Sequence, residues 1–480
     1  MFQSSTDVMQ GRGSLREEMA GGDLGDARLN VRRNRVIAVL EESPDAGFPE
    51  ACASDGETEA LYRFLRNRRI SLAAVLEPHL EATSMRCRAL GEVLVIHDTT
   101  EMAFPGEQER TGLTRLGPRR QGFWLHTALA VSAEGLRAPL GLIAVAPFTR
   151  SPANGLKQSW RERFHDPRKE SRRWAAGVAA VRGRVGEPGR AIHVMDREGD
   201  SYELLAALTA HGDRCVVRMH YDRRVVAAGA TEATRLSDVR AHAEVRIERE
   251  VTVAPRRAED RAQRLAHPAR DGRVATVSFA ACHVVLQRPQ DHRASTLPAT
   301  VAVNVVFGWE AQPPPGETPV EWWLVTTEPI DTIDHVLQIV EWYRTRWLIE
   351  EFFKCLKTGC AYEKRQLESL DTLLVALALL APIAWQLLLL RHLARVLPAA
   401  PAHVVLTPRQ LLVLRASSVG ATLSSQPTTK EALRAVARLG GHLRQNGEPG
   451  WLVLGRGLQK LLQREAGWAA AEQARRCDQS

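Results

Sequence analysis

The chain has 480 residues, 44% of them hydrophobic and 25% charged, with 64 Lys and Arg against 56 Asp and Glu, a formal charge of +8. That length calls for roughly two to four domains of an ordinary soluble protein, and the positive charge favours polyanionic partners. The 7 cysteines are odd in number and contain no C-x-x-C pair, which implies no disulfide framework or zinc finger and fits a reducing cytosol.

The first thirteen residues, MFQSSTDVMQGRG, are polar and unlike a signal peptide. Residues 1–20 read as disordered. Asp26 can cap a helix to about Glu42, with Arg28, Arg32 and Arg35 on one face and Leu29, Val36, Ile37 and Leu40 on another. Ser54 and Glu57 form a capping box, S-x-x-E, for a helix ending near Asn67. Two short helices with basic faces suit DNA docking, and scattered surface arginines would look the same. A helical connector over 71–90 leads to Val93-Leu94-Val95-Ile96, a continuous apolar run that reads as a buried strand. His97 and Asp98 stand at its end, on opposite sides by strand alternation. An acid there is a common site position in α/β folds, or else a cap for the next segment of chain.

Residues 123–132 and 136–145 predict a hairpin. Residues 146–172 read as a polar, basic loop or lid, and 172–181 as a helix. A second apolar strand over 191–195 ends in Asp196-Arg197-Glu198-Gly199-Asp200. A helix over 201–210 and a strand over 214–219 come next, so the sheet is mixed and not doubly wound. Residues 222–330 are strand-rich and predict an all-β insertion, with a basic loop at Arg256, Arg257, Arg261, Arg264, Arg270 and Arg273.

Residues 341–359, EWYRTRWLIEEFFKCLKTG, read as one amphipathic helix around which the chain is organised. At about 100° per residue, Tyr343, Arg346, Glu350, Lys354 and Lys357 share a polar stripe beside an apolar face of Trp342, Ile349, Phe352, Phe353 and Leu356. One carboxylate among cations and a phenol suits a metal-binding acid set among phosphate-binding groups. Glu350 and Lys354 also have the spacing of a salt-bridged surface helix. Cys355 and Cys360 read as packing residues. Leu373–Leu390 is uncharged and long enough to span a membrane, but Pro382 and Gln386 favour a buried helix pair or a kinked core helix. Thr428 and Glu431 form another capping box, with the helix ending at Gly440-Gly441. Trp451 opens the last helical region.

Asp98, Asp196 and Glu350 therefore stand out as three acids expected to converge into an oxygen-rich site for Mg²⁺ or Mn²⁺. Their contexts, HDTT (97–100), DREGD (196–200) and Tyr343-x2-Arg346-x3-Glu350-x6-Lys357, resemble a DDE transposase of the insertion-sequence-four family, the group that includes the transposon-five transposase. Matches such as GDAR (25–28), LYRFLRN (61–67), CVVR (215–218) and ARLGG (437–441) extend the resemblance over most of the chain, the N-terminal and C-terminal ones being weaker.

The resemblance implies a multi-domain α/β protein. Its RNase H-like mixed-sheet core over 76–372 would be interrupted by the all-β insertion at about 222–330. A helical DNA-end-binding domain over 1–75 and a helical dimerisation domain over 373–480 would flank it. It implies two Mg²⁺ or Mn²⁺ ions on Asp98, Asp196 and Glu350, with nicking, hairpin formation, hairpin opening and strand transfer to target DNA. Tyr343 and Arg346 would grip the phosphate beside a flipped base, and Lys357 and Lys354 would contact backbone. Trp322, chosen over Trp323 by motif position, would stack the extruded base, and Arg218, Arg28 and Arg32 would bind DNA. The partners would be transposon-end and target double-stranded DNA, with a homodimer in the complex and no membrane, in the cytoplasm at the nucleoid. Gly199 stands where an alanine is usual, a departure read as minor. A metal-dependent nuclease without strand transfer and a silent DNA-binding inhibitor are the competing classes.

Overall fold

The computed structural model of the chain describes residues 4, 15–42, 46–150, 171–186, 189–253, 255, 269–290, 296–419, 423–443 and 445–478. Chain contacts divide the protein into two compact units. One comprises Met1–Leu156, Ala179–Gly186 and Trp347–Ser480; the other comprises Lys157–Val178 and Glu187–Arg346. The principal helices are α1 (Leu15–Ala20), α2 (Ala27–Glu42), α3 (Asp55–Leu65), α4 (Leu72–Ala89), α5 (Ser171–Val185), α6 (Tyr202–His211), α7 (Ile333–Arg344), α8 (Trp347–Lys354), α9 (Leu370–Val396), α10 (Thr429–Leu439) and α11 (Trp451–Asp478).

The first unit is built on four antiparallel strands: β1 (Val93–Pro105), β2 (Thr114–Gly117), β3 (Arg120–Ser132) and β4 (Pro139–Phe148). β3 pairs β1 along its whole length, from Val93↔Ser132 to Pro105↔Arg120, while β2 and β4 take its other edge. β1 runs well past the apolar run, so Asp98 lies within the strand, opposite Thr127, and not at its end. The extension has a physical cause. After Asp98 the strand keeps Met102 and Phe104 fully buried on alternate positions, a half-buried pattern in place of a continuous one.

α4 packs on β4, and α9 packs on both. By length and composition α9 could cross a membrane, yet 94% of its most apolar window is buried inside the protein. It is a single core helix with Pro382 inside it, and Trp385 Nε1 donates to Pro139 O at 2.9 Å.

Residues 15–20, expected to be disordered, form α1. Its buried Leu15 and Met19 and its Glu18 anchor it. Glu18 receives a 2.6 Å hydrogen bond from Arg86 and lies 2.5 Å from His79 Nδ1. Leu142 N donates to His79 Nε2 at 3.1 Å, which makes that nitrogen an acceptor and leaves Nδ1 as the donor to Glu18. Asp26 caps α2 through Arg28 N, and Ser54 caps α3 through Glu57 N. Thr428 and Glu431 complete a reciprocal capping box on α10.

The second unit holds β5 (Ala191–Met195), β6 (Arg214–Arg218), β7 (Arg224–Ala227), β8 (Thr234–Arg235), β9 (Ile247–Val253), β10 (Arg273–Gln287), β11 (Thr300–Glu310) and β12 (Glu321–Thr326). β5 and β6 are parallel, whereas the β6–β12, β12–β11 and β11–β10 pairs are antiparallel. The sheet is therefore mixed, and the insertion's strands continue it from β6 through β12. The insertion also contains a short helix, Leu236–Ala241, so it is not purely β. Arg273 is not in a basic loop. It opens β10 and forms an ion pair with the buried Glu310, whose carboxylate also accepts Val320 N at 3.0 Å. Arg256, Arg257, Arg261 and Arg264 lie outside the described residues, as does most of the expected loop over 146–172.

Residues 341–359 are not one helix. α7 ends at Arg344, α8 starts at Trp347, and a π-turn over Cys355–Gly359 comes after it. At the break Thr345 Oγ1 donates to Glu341 O at 2.8 Å, and Arg346 N bonds Tyr343 O at 3.0 Å in the tighter i→i−3 pattern. Thr345 N still reaches Glu341 O at 3.1 Å, so the α-helical ladder ends where Arg346 N turns to the tighter 3₁₀-type bond.

Candidate functional site

The second unit carries Asp196, Arg218, Trp322, Tyr343 and Arg346. Asp196 comes directly after β5. Its side chain accepts Glu198 N at 2.9 Å and so caps the single 3₁₀ turn Arg197–Gly199. Gly199 is tightly constrained: a Cβ there would lie 2.8 Å from Met195 Cβ. An alanine would force a shift beside Asp196, so the departure read as minor has a steric cause.

Arg197 joins three of these residues electrostatically. Burial lowers its pKa, Arg218 lowers it further, and Tyr343, Glu321 and Asp196 oppose them. The end of β5, the end of β6, the start of β12 and α7 thus bring Asp196, Arg197, Arg218 and Tyr343 into one electrostatic neighbourhood. Tyr343 is buried, and Arg218 Nη2 donates to Glu321 O at 3.0 Å. Arg346 is half-buried in the break after α7.

Sequence reasoning passed over Arg197, although it is the residue next to Asp196, and over Asp200. Asp200 is 2% exposed, and its carboxylate accepts His220 N (2.7 Å), Tyr221 N (3.0 Å) and Arg223. This buried pair ties the turn after Asp196 to the segment after β6. The short acid-rich run DREGD was its only signal.

The two tryptophans of β12 alternate across the sheet. Trp323 packs on the second unit's apolar core, meeting Phe307 edge-on at 5.8 Å and 90°. Its Nε1 donates to Glu321 Oε1 at 3.2 Å. Trp322 lies on the opposite face, half-buried and stacked with Phe279 at 6.3 Å and 28°.

The first unit carries Asp98, Glu350, Lys354, Lys357, Arg28 and Arg32. α8 packs directly against β1, so the helix of Glu350 and the strand of Asp98 are neighbours. Both acids are half-buried, and Asp98 Oδ1 accepts Thr99 N at 2.7 Å. His97 is fully buried on the other side of β1, its ring 5.7 Å from His126. Lys354 is exposed and pairs with Glu351 at 3.1 Å, not with Glu350. Lys357 is half-buried. Its Nζ donates to Glu101 O at 2.5 Å and lies 3.5 Å from Glu363, so it braces the π-turn against β1. On α2, Arg28 is exposed and Arg32 half-buried, while Arg35 pairs with Glu57 at 2.7 Å. Cys355 and Cys360 are fully buried, and burial raises the Cys355 thiol pKa well above its ordinary value.

Among the described residues, no group of three or more His, Cys, Asp or Glu side chains stands together as a ready metal cluster. As individual donors the three acids fit a divalent cation. All offer carboxylate oxygen, the hard donor that Mg²⁺ and Mn²⁺ take, and each remains partly accessible.

Residues 12–70 match the family described as transposase DNA-binding, and residues 90–385 match the family described as transposase DDE domain. The second match covers more than half of the chain and spans Asp98, Asp196 and Glu350. The fold class agrees with it: a mixed α/β, RNase H-like transposase core with helices at both ends. A solved structure that the chain is similar to is a cryo-EM piggyBac transposase synaptic complex with hairpin DNA. The identity is 8%, over 82% of this chain and 75% of that chain, with a TM-score of 0.36.

Proposed function

From the premise that this chain belongs to the DDE transposases, a divalent-metal-dependent family that acts on DNA, we propose that it is a cut-and-paste transposase of the insertion-sequence-four kind. The observation that carries this reading is the packing of α8, the helix of Glu350, directly on β1, the strand of Asp98. Asp196 supplies the third carboxylate from the end of β5, beside Arg197 and Arg218. Asp98, Asp196 and Glu350 would hold two Mg²⁺ or Mn²⁺ ions, which when bound activate the attacking oxygen and stabilise the leaving one.

The protein's own groups do the rest of the work. Tyr343 and Arg346 hold the phosphate beside the cleaved bond, and Arg197 and Arg218 add positive charge next to Asp196. Lys354 and Lys357 contact the backbone, Lys357 while still bracing β1. Trp322 offers a ring face to an extruded base, which relieves the stacking that would otherwise prevent a tight terminal hairpin. α2 and α3, with Arg28 and Arg32, bind the transposon end; residues 76–372 form the catalytic core and 373–480 pair protomers in a DNA-bound homodimer. The enzyme works in the cytoplasm, at the nucleoid.

The test uses Asp98→Asn, Asp196→Asn and Glu350→Gln with a labelled end duplex and Mg²⁺. Each variant should still bind the duplex, with an affinity that falls steeply with salt because counterion release drives it, and each should lose nicking. Normal nicking by any of the three would remove that residue from the metal set. A salt-independent affinity would contradict the DNA-binding reading.

A further inference from the structure

Phe279, Gly308 and Trp322 are direct cross-strand neighbours on three adjacent strands: Phe279 on β10 pairs with Gly308 on β11, which pairs with Trp322 on β12. The two rings lie over the glycine between them. Phe279 is 1% exposed, whereas Trp322 is half-buried. The glycine is sterically required. A Cβ at Gly308 would lie 2.7 Å from Phe279 Cε1, 3.0 Å from Phe279 Cδ1 and 3.5 Å from Trp322 Cε3.

Gly308 does not adopt a positive φ, so its need is for space and not for backbone conformation. Opposite it on the other sheet face, the neighbouring pair Phe307 and Trp323 meets edge-on within the core. β10, β11 and β12 therefore carry two aromatic pairs, Phe307–Trp323 and Phe279–Trp322, each a buried phenylalanine beside a half-buried tryptophan. Only the second pair has a glycine beneath it.

We propose that Phe279 and Gly308 are positioning residues for Trp322. Phe279 backs the indole on one side, and Gly308 sets how low the two rings can sit on the sheet. The rings form two layers of a stack whose third layer is the nucleobase extruded during hairpin formation. The proposal rests on the reading of Trp322 as the base-stacking residue. It adds that the platform is a pre-built pair, held by a residue too small to push it up. A half-exposed indole without backing would adopt several tilts, and the base would have to order it on arrival; the backed ring is ordered beforehand.

A cavity of about 260 Å³ is lined by Phe279, Leu337, Val340, Glu341, Arg344 and others. This space beside Phe279 makes Gly308→Ala a usable perturbation. Phe279→Leu keeps an apolar side chain and removes the ring face.

The experiment compares wild type, Phe279→Leu, Phe279→Tyr, Gly308→Ala and Trp322→Ala on a labelled end duplex with Mg²⁺, resolved on a denaturing gel. The nick rate reports folding and metal chemistry, and the hairpin-to-nick ratio reports the platform. A 2-aminopurine at the extruded position reports unstacking directly. Phe279→Leu and Gly308→Ala should nick at nearly the wild-type rate. Their hairpin-to-nick ratio should fall roughly two- to tenfold, the range for one lost aromatic pair, and an abasic nucleotide at the extruded position should restore it. Phe279→Tyr, which retains the ring, should stay close to wild type.

If Trp322→Ala lowers the ratio while Phe279→Leu and Gly308→Ala leave both ratio and fluorescence at wild-type values, the positioning inference is overturned and the stacking role of Trp322 stands. If Trp322→Ala itself hairpins normally, the reading beneath the inference fails, and the inference fails with it.

Discussion

Replacing Trp322 or Trp323 by alanine should produce opposite phenotypes, because the two rings face opposite sides of one sheet. Trp323 packs on the core cluster and meets Phe307 edge-on. Full truncation of a buried aromatic costs about 3–5 kcal/mol. Trp323 is partly exposed, so somewhat less than that applies, about 2–4 kcal/mol. Trp322 is likewise half-buried but is not among the side chains packed on that cluster; it loses its stack on Phe279, about 0.5–1.5 kcal/mol.

The order reverses in the reaction. A base stacked on an aromatic ring contributes about 1–3 kcal/mol. If that is lost from the hairpinning transition state, the rate falls about ten- to a hundredfold. Urea denaturation of the two variants gives the first comparison, and a labelled end duplex resolved on a denaturing gel gives the second. Trp323→Ala should shift the denaturation midpoint more and keep the hairpin-to-nick ratio. Trp322→Ala should do the reverse. A Trp323→Ala protein of normal stability that nicks without hairpinning would refute the assignment of faces.

Acid should undock α1. Burial pushes the Glu18 pKa up, but His79 and Arg86 outweigh it and hold it at about 2, below its ordinary 4.5. Burial also lowers His79 below its ordinary 6.5, against the pull of Glu18. The unfolded chain thus binds more protons than the folded one below pH 6.5. Stability falls from there through His79 and again below about pH 4.5 through Glu18, completing its loss near pH 2. Hydrogen exchange across residues 15–20 should rise in that order, and His79→Gln should remove the first stage; exchange flat from pH 7 to 4 would contradict it. Asp200→Ala leaves the buried Arg223 uncompensated and should cost about 3–5 kcal/mol, read as a large drop in urea midpoint. A change under about 1 kcal/mol would show that the pair does not brace the turn after Asp196.

The local signals were the legible ones. Capping residues at Asp26, Ser54 and Thr428 act within one turn of chain, and each caps the expected helix. β5 was readable because a fully buried parallel-type strand is a short apolar run, and its span matches. β1 was cut short because its pattern changes from continuous to alternating at Asp98, when it gains a more exposed side. The break in residues 341–359 is a local one, Arg346 N taking the Tyr343 carbonyl three residues back. A helical wheel carries no trace of that choice. Asp200 and Arg223 lie 23 residues apart, and Arg273 meets Glu310 across 37. Such pairs form only once the sheet is assembled, so a loop reading of Arg273 was the natural one from sequence. Alternation could tell that Trp322 and Trp323 face opposite sides, but the Phe279 backing of Trp322 and the glycine beneath it need the register of three strands.

Strand joining tests the central claim most directly. The purified protein is incubated with Mg²⁺, a duplex taken from the DNA flanking its gene and a supercoiled target plasmid. A transposase should yield a terminal hairpin and then plasmid covalently joined to the 3′ end of the duplex, with both products absent from Asp196→Asn. Wild-type protein that nicks the duplex under Mg²⁺ yet forms neither hairpin nor joined plasmid would contradict the account and leave a metal-dependent nuclease in its place.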